Sequence, residues 1–218
     1  MSTVYDCTST DTRADGLGAA FTSLRAGRLV VLPTDTLYGL GCDAFDGQGV
    51  SNLLKAKNRG RDMPVPVLVG SWHTIDGLVY TVKPQARSLV EAFWPGGLSL
   101  VVQQAPSLAW DLGDTRGTVM LRMPLHPVAL DLLREIGPMA VSSANVSGEP
   151  PATTVQDARN QLGSQVDVYL DGGPCALATP STIVDLTGDR PRVLREGAVA
   201  VAAVAEVLGC TVEELRPA

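Results

Sequence analysis

Ser181-Thr182-Ile183-Val184-Asp185-Leu186-Thr187-Gly188-Asp189-Arg190-Pro191-Arg192-Val193-Leu194-Arg195 is the stretch on which the fold class turns. Ser181 to Leu186 and Arg192 to Arg195 read as strands, and Thr187-Gly188-Asp189-Arg190 between them is a hairpin signal. Hairpin strands pair antiparallel, so the sheet that contains them is not purely parallel. Upstream, helices and strands alternate. Leu17, Ala20, Phe21 and Leu24 fall at helical spacing before Gly27, predicting a helix over 14–26, and Arg28 to Leu32 follow as a buried strand. Further helices are expected near 47–58, from Pro84 to Trp94, over 127–136 before Gly137, after a cap at Thr153 or Thr154, and near 200–208. Strands are expected at 65–69, 98–103, 118–123, 139–143 and 166–170. Alternation with irregular links and one hairpin predicts a single-domain α/β protein over residues 1–218, a twisted mixed sheet flanked by helices.

Composition narrows the function. With 45% hydrophobic and 18% charged residues over 218 positions, the chain has a globular rather than disordered composition. Lys+Arg 17 against Asp+Glu 23 gives a net charge of -6, which argues against a surface that coats nucleic acid or anionic membrane. Apolar runs such as Leu29 to Pro33 fall far short of the roughly 20 residues of a membrane span. The first residues lack a basic-then-apolar leader, so a cytoplasmic protein without membrane association is expected. Cys7, Cys42, Cys175 and Cys210 form no Cys-x-x-Cys pair, and His73 and His126 are the only histidines. Zinc ribbons, dithiol chemistry and histidine-rich metal sites are therefore disfavoured, and no metal ligands are assigned.

Several apolar strands open into polar residues. Leu32-Pro33-Thr34-Asp35-Thr36-Leu37-Tyr38-Gly39-Leu40-Gly41 and Ala140-Val141-Ser142-Ser143-Ala144-Asn145-Val146-Ser147-Gly148 both suit close approach of a ligand, and both also read as polar turns. Lys55-Ala56-Lys57-Asn58-Arg59-Gly60-Arg61 gathers four cations, either a solvated helix end or a triphosphate site, although no P-loop pattern is present. Arg122 stands alone in the apolar strand Thr118 to Met123, so it either closes an internal salt bridge or receives an anionic ligand.

Taken together, Pro33-Thr34-Asp35-Thr36-x-Tyr38-Gly39-Leu40-Gly41, Lys57-x-Arg59, Trp94-Pro95-Gly96-x-Leu98, Arg122-x-Pro124-x-His126-Pro127, Ser143-Ala144-Asn145-x-Ser147-Gly148, Asp171-Gly172-Gly173, Ser181-Thr182-x-Val184-Asp185 and Arg195-x-Gly197 resemble the YrdC-type threonylcarbamoyl-AMP synthases, across about residues 15–200. The resemblance implies the YrdC-like fold and a nucleotidyltransferase that converts ATP, L-threonine and bicarbonate to L-threonylcarbamoyladenylate and pyrophosphate. That product serves N6-threonylcarbamoyladenosine modification of tRNA, completed by partner proteins. The resemblance further implies that Thr34, Arg122 and Ser181 bind L-threonine. ATP falls to Lys57, Arg59, Thr118, Ser143, Asn145 and Arg195, with Lys57 and Arg59 also catalytic and both in an exposed segment. Magnesium is expected with the triphosphate, held by phosphates and water.

The chain departs from that family pattern at Gly60, at Ser142 and in Gly97-Leu98-Ser99, changes expected to affect backbone stiffness more than chemistry, and Leu68 stands where some relatives have a histidine on threonine. The same fold class also resembles proposed double-stranded RNA binders, for which Lys55, Lys57, Arg59 and Arg61 would form the contact patch. A carbamoyl-transfer domain of hydrogenase maturation and a Ser-His-Asp hydrolase on His73 or His126 are further readings. The first of these belongs to longer, cysteine-rich chains, and the second lacks a Gly-x-Ser-x-Gly elbow.

Overall fold

The computed structural model describes residues 2–216. Its elements, in chain order, are β1 (Thr3–Asp6), α1 (Thr10–Arg25), β2 (Val30–Leu32), β3 (Gly39–Asp43), α2 (Gly47–Ala56), β4 (Val67–Leu68), α3 (Ile75–Leu78), α4 (Pro84–Phe93), β5 (Leu98–Gln103), β6 (Thr118–Arg122), α5 (Pro127–Ile136), β7 (Met139–Ser143), α6 (Val155–Leu162), β8 (Val168–Asp171), β9 (Thr182–Asp185), β10 (Arg192–Arg195) and α7 (Val201–Leu208). One ten-stranded sheet runs β1-β8-β2-β3-β7-β4-β6-β5-β9-β10. The pairs β1/β8, β2/β8, β4/β6 and β5/β9 are parallel, and the others are antiparallel, including the β9/β10 hairpin. The sheet is mixed, as the hairpin requires.

Strand alternation divides the core into two faces. Val31, Leu40, Val67, Leu100, Leu121, Ala140 and Val184 point to the face covered by α2, α4, α6 and α7. Val30, Leu32, Leu68, Met139 and Val141 point to the other, where Ala20 and Leu24 of α1 and Val128, Leu132 and Ile136 of α5 pack. Those two helices cover the half of the sheet around β8, β2, β3 and β7. Beyond them, the same face of β4, β6, β5 and β9 is the floor of a cleft.

Local chemistry explains the boundaries. Pro127 opens α5 and Gly137, at φ 93°, closes it. Thr154 caps α6 through a reciprocal capping box with Asp157. Three expectations need correction. Helix α1 starts at Thr10 rather than 14, because the Ser9 side chain accepts from Thr12 N and caps it there. The strand expected over 65–69 shrinks to Val67–Leu68, since Pro64 and Pro66 bring no N–H to a ladder. Gly39-Leu40-Gly41, read as the end of a ligand-facing or turn segment, belongs to strand β3. A Cβ at Gly39 would stand 2.6 Å from Val141 Cγ1 and one at Gly41 2.9 Å from Met139 Cε, so glycine is what lets β3 lie against β7 under those side chains.

Candidate active site

The cleft encloses about 430 Å³ and is lined by hydroxyls, three guanidinium groups, the Asn145 amide and apolar side chains that include four prolines, with no carboxylate among its lining residues. Most of the polar groups come from strand ends or the loops beside them, and Arg59 comes from the loop after α2. Arg122 ends β6 and is buried beside Asp35, whose Oδ1 accepts from its Nη2 at 2.5 Å. Arg122 Nη1 donates to Thr36 Oγ1 at 2.7 Å and Nε to Gly96 O at 2.8 Å. A guanidinium has five N–H donors, so two remain for a ligand in the cleft that Arg122 lines. Burial pulls the Arg122 pKa down while Asp35 pulls it back up, and the group stays charged. Asp35 Oδ1 also accepts from Leu125 N at 2.9 Å, which fixes the carboxylate that fixes the arginine. Of the options read for Arg122 in the sequence, the internal salt bridge is present, and the side chain also lines the cleft.

Thr34 lies in a tight turn, its Oγ1 donating to Leu37 O at 2.6 Å and accepting from Leu37 N at 3.2 Å. Ser181 Oγ lies 2.8 Å from Ser99 Oγ. A register shift between Val193 and Arg195 bends β10, and Arg195 reaches across to Ser181 O from Nε at 3.1 Å and Nη2 at 2.7 Å. Arg59 Nη1 donates to Ser142 Oγ at 3.0 Å. Ser142 and Ser99, two of the positions expected to affect mainly stiffness, place their hydroxyls in the cleft lining. Leu68, paired in register with Arg122, adds an apolar wall beside it.

Of the residues expected at the site, Thr34, Arg59, Arg122, Ser143, Asn145, Ser181 and Arg195 line the cleft. Thr118 and Lys57 do not. Thr118 is on the same face of β6 as Met120 and Arg122 but one repeat further out, and it donates to Thr115 O at 2.8 Å. Lys57 was expected in an exposed segment and is only 2% exposed. Its ammonium donates to Ser143 O at 2.5 Å, Asn145 O at 2.6 Å and Asn145 Oδ1 at 3.2 Å. Burial, reinforced by neighbouring Arg59, pulls its pKa down to about 8. The polar groups not foreseen were Asp35 and Thr36 as supports of Arg122 and Ser99 as partner of Ser181. Asp35 carried a signal: a carboxylate beside a strand end, in a chain with one arginine stranded in an apolar strand.

The four cations of 55–61 do not form a patch. Lys55 is exposed, Lys57 is buried and Arg59 turns into the cleft. Arg61 is held by Asp111, Nη2 to Oδ1 at 2.6 Å, and by Asp114 at 3.5 Å. This removes the basis for the RNA-binding reading. The hydrolase reading fails as well, because His73 stacks on Trp72 and His126 hydrogen-bonds no serine among the described residues. Among those residues no group of three His, Cys, Asp or Glu could hold a metal, and no helix is long and apolar enough to cross a membrane.

An open sheet face with converging guanidiniums and hydroxyls defines an α/β protein whose cleft has the chemistry to suit small anionic molecules. Residues 22–197 match the family model described as telomere recombination, of the Sua5, YciO and YrdC proteins, and the chain belongs to that family. A Mycobacterium leprae protein named "Putative threonylcarbamoyl-AMP synthase" is 66% identical over 209 residues, covering 96% of this chain and 95% of the relative. The threonylcarbamoyl-AMP synthase of Bacillus subtilis is 35% identical, covering 85% of this chain and 54% of its own. The crystal structure of Pyrococcus abyssi Sua5 complexed with L-threonine superposes with a TM-score of 0.92 at 30% identity, over 99% of this chain and 62% of that one.

Proposed function

We propose that the chain is an L-threonylcarbamoyladenylate synthase, acting in the cytoplasm for tRNA modification. The observation that carries this reading is the carboxylate-free cleft in which Arg59, Arg122 and Arg195 converge with hydroxyls. The two unused donors of Arg122 suit a threonine carboxylate, and Thr34 and Ser181 lie within the same cleft. The threonine amine and bicarbonate condense to a carbamate with loss of water. The carbamate oxygen then attacks the α-phosphorus of ATP and pyrophosphate leaves. This is a nucleotidyl transfer without a covalent protein nucleophile, so the chain supplies position and charge. Arg59 and Arg195 meet the negative charge that develops on the phosphates, with Ser143 and Asn145 beside them. ATP enters as its magnesium complex, with the ion on phosphate oxygens and water. Thr118, at the outer end of β6, is in reach only of a part of ATP that protrudes from the cleft. Transfer to adenosine of tRNA belongs to partner proteins.

The test is incubation of pure protein with ATP, magnesium, bicarbonate and isotopically labelled threonine. A labelled adenylate by mass, with pyrophosphate release dependent on both threonine and bicarbonate, is expected. Equal release with threonine omitted indicates an ordinary ATPase and overturns the assignment.

A further inference from the structure

Lys57 is one of three lysines in the chain and the cap of α2, buried behind the cleft rather than in it. Both of its ends hold the same loop. Its carbonyl accepts from Ser147 N at 3.4 Å, and its ammonium meets three acceptors, all of them on Ser143 and Asn145. An ammonium has three protons to give, so none is left for a phosphate. Asn145 continues the network, with Nδ2 donating to Val146 O at 3.0 Å and Glu149 O at 2.7 Å. Among the described residues no carboxylate forms a salt bridge with Lys57. A buried charge satisfied only by main-chain and amide oxygens is expensive, and what it secures is the shape of the loop that supplies Ser143 and Asn145 to the cleft.

We propose that Lys57 is a positioning residue: its ammonium clamps the Ser143 to Glu149 loop into the shape that receives the nucleotide, and it does not itself touch phosphate. The identity of the nucleotide rests on the function proposed above, and the clamp does not.

Lys57→Met keeps the unbranched reach to about the ε-carbon and removes the ammonium. Hydrogen exchange of the ligand-free variant is expected to show faster exchange at amides 144–149, with β5 and β6 unchanged. ATP binding by calorimetry should weaken on the order of tenfold or more. The ratio of dissociation constants at low and high salt should match wild type, because no ion contact to phosphate has been lost. Unchanged loop exchange with a flattened salt dependence identifies a direct phosphate contact and overturns the proposal. Faster exchange across the whole sheet, with unaltered ATP affinity in the folded fraction, identifies a role in stability alone and overturns it too. A measurement on wild type needs no folded variant. Reductive methylation should modify exposed Lys55 and spare Lys57 whether ATP is present or not. Lys57 reacting as fast as Lys55, and protected by ATP, sinks the clamp. If wild type binds no ATP, the synthase assignment falls while loop exchange and methylation still decide the clamp.

Discussion

Arg122 and Asp35 are each costly to bury alone and tolerable together. Asp35→Ala leaves an uncompensated guanidinium in the sheet, and removal of one partner of a buried pair costs about 3–5 kcal/mol. Denaturant unfolding is expected to show a loss of that order, together with weaker use of threonine, because the guanidinium loses the contact that aims it. Arg122→Ala is expected to impair threonine use by roughly 10- to 150-fold, the worth of a charge-assisted hydrogen bond, while ATP affinity measured by calorimetry stays close to wild type. An unchanged Michaelis constant and turnover for threonine would show Arg122 to be purely structural. Much of the cleft lining was legible at this scale, since polar side chains at the ends of apolar strands stand out in the sequence and mark strand ends that open on the cleft. What sequence spacing did not carry was the direction of a side chain at a helix end. Lys55, Lys57, Arg59 and Arg61 alternate in sequence, but a helix cap, a positive φ of 51° at Asn58 and Asp111 send them to four different surroundings.

Among the elements, β3 lies closest to a steric limit. Gly39→Ala brings a Cβ to 2.6 Å from Val141 Cγ1, an overlap relieved only by forcing that stiff β-branched side chain out of its rotamer or by shifting a strand. Overpacking of this kind costs about 1–3 kcal/mol. Thermal unfolding should therefore fall for Gly39→Ala and recover in part when Val141→Ala is added, which frees the space; equal losses that simply add would refute the contact. The same strand explains where sequence reading stopped. Strands β5, β7 and β10 and helix α5 were legible to the residue, because their apolar pattern and flanking Pro or Gly coincide with their ends. Strand β3 was not, since its glycines are there for a neighbour's side chains rather than for a turn, and that neighbour lies about a hundred residues away. Strand β1, four residues at the sheet edge with a half-exposed pattern, carries no periodicity strong enough to read.

At the scale of the whole molecule, burial makes the fold sensitive to alkali. Burial pushes the Cys7 and Cys175 thiols up to about 11 and raises Cys42 further in the same direction. A thiol with a raised native pKa contributes stability that is complete below its unfolded value near 9 and is lost as pH climbs towards the native value. Each such group accounts for about 1.4 kcal/mol per pH unit in that window. Lys57, pulled down to about 8, acts oppositely between 8 and its unfolded value, and one lysine does not offset three thiols. The melting temperature should fall between pH 9 and 11, with a shallower slope in a Cys7→Ala, Cys42→Ala, Cys175→Ala variant. The scattered charge also predicts weak association with tRNA. Affinity follows the number of phosphates neutralised, and of the basic residues of 55–61 Lys57 is buried, Arg59 lines the cleft and Arg61 is paired with Asp111. Filter binding at about 150 mM salt should give a dissociation constant above the micromolar range. Tighter binding, abolished by reversing the charges of Lys55 and Arg61, would restore the RNA-binding alternative. The strand order carries a last consequence, for synthesis. Strands β1 and β2 both pair with β8, so Thr3–Asp6 and Val30–Leu32 have no sheet partner on that side until Val168–Asp171 is made. At translation speeds of about 5–20 residues per second, that wait is on the order of ten seconds. During it, the amino-terminal part of the nascent chain exposes one open edge of apolar β2, whose other edge pairs with β3. Ribosome-bound chains stalled before residue 168 should thus remain open to protease and chaperone, and resistance should appear only once β8 has cleared the exit tunnel.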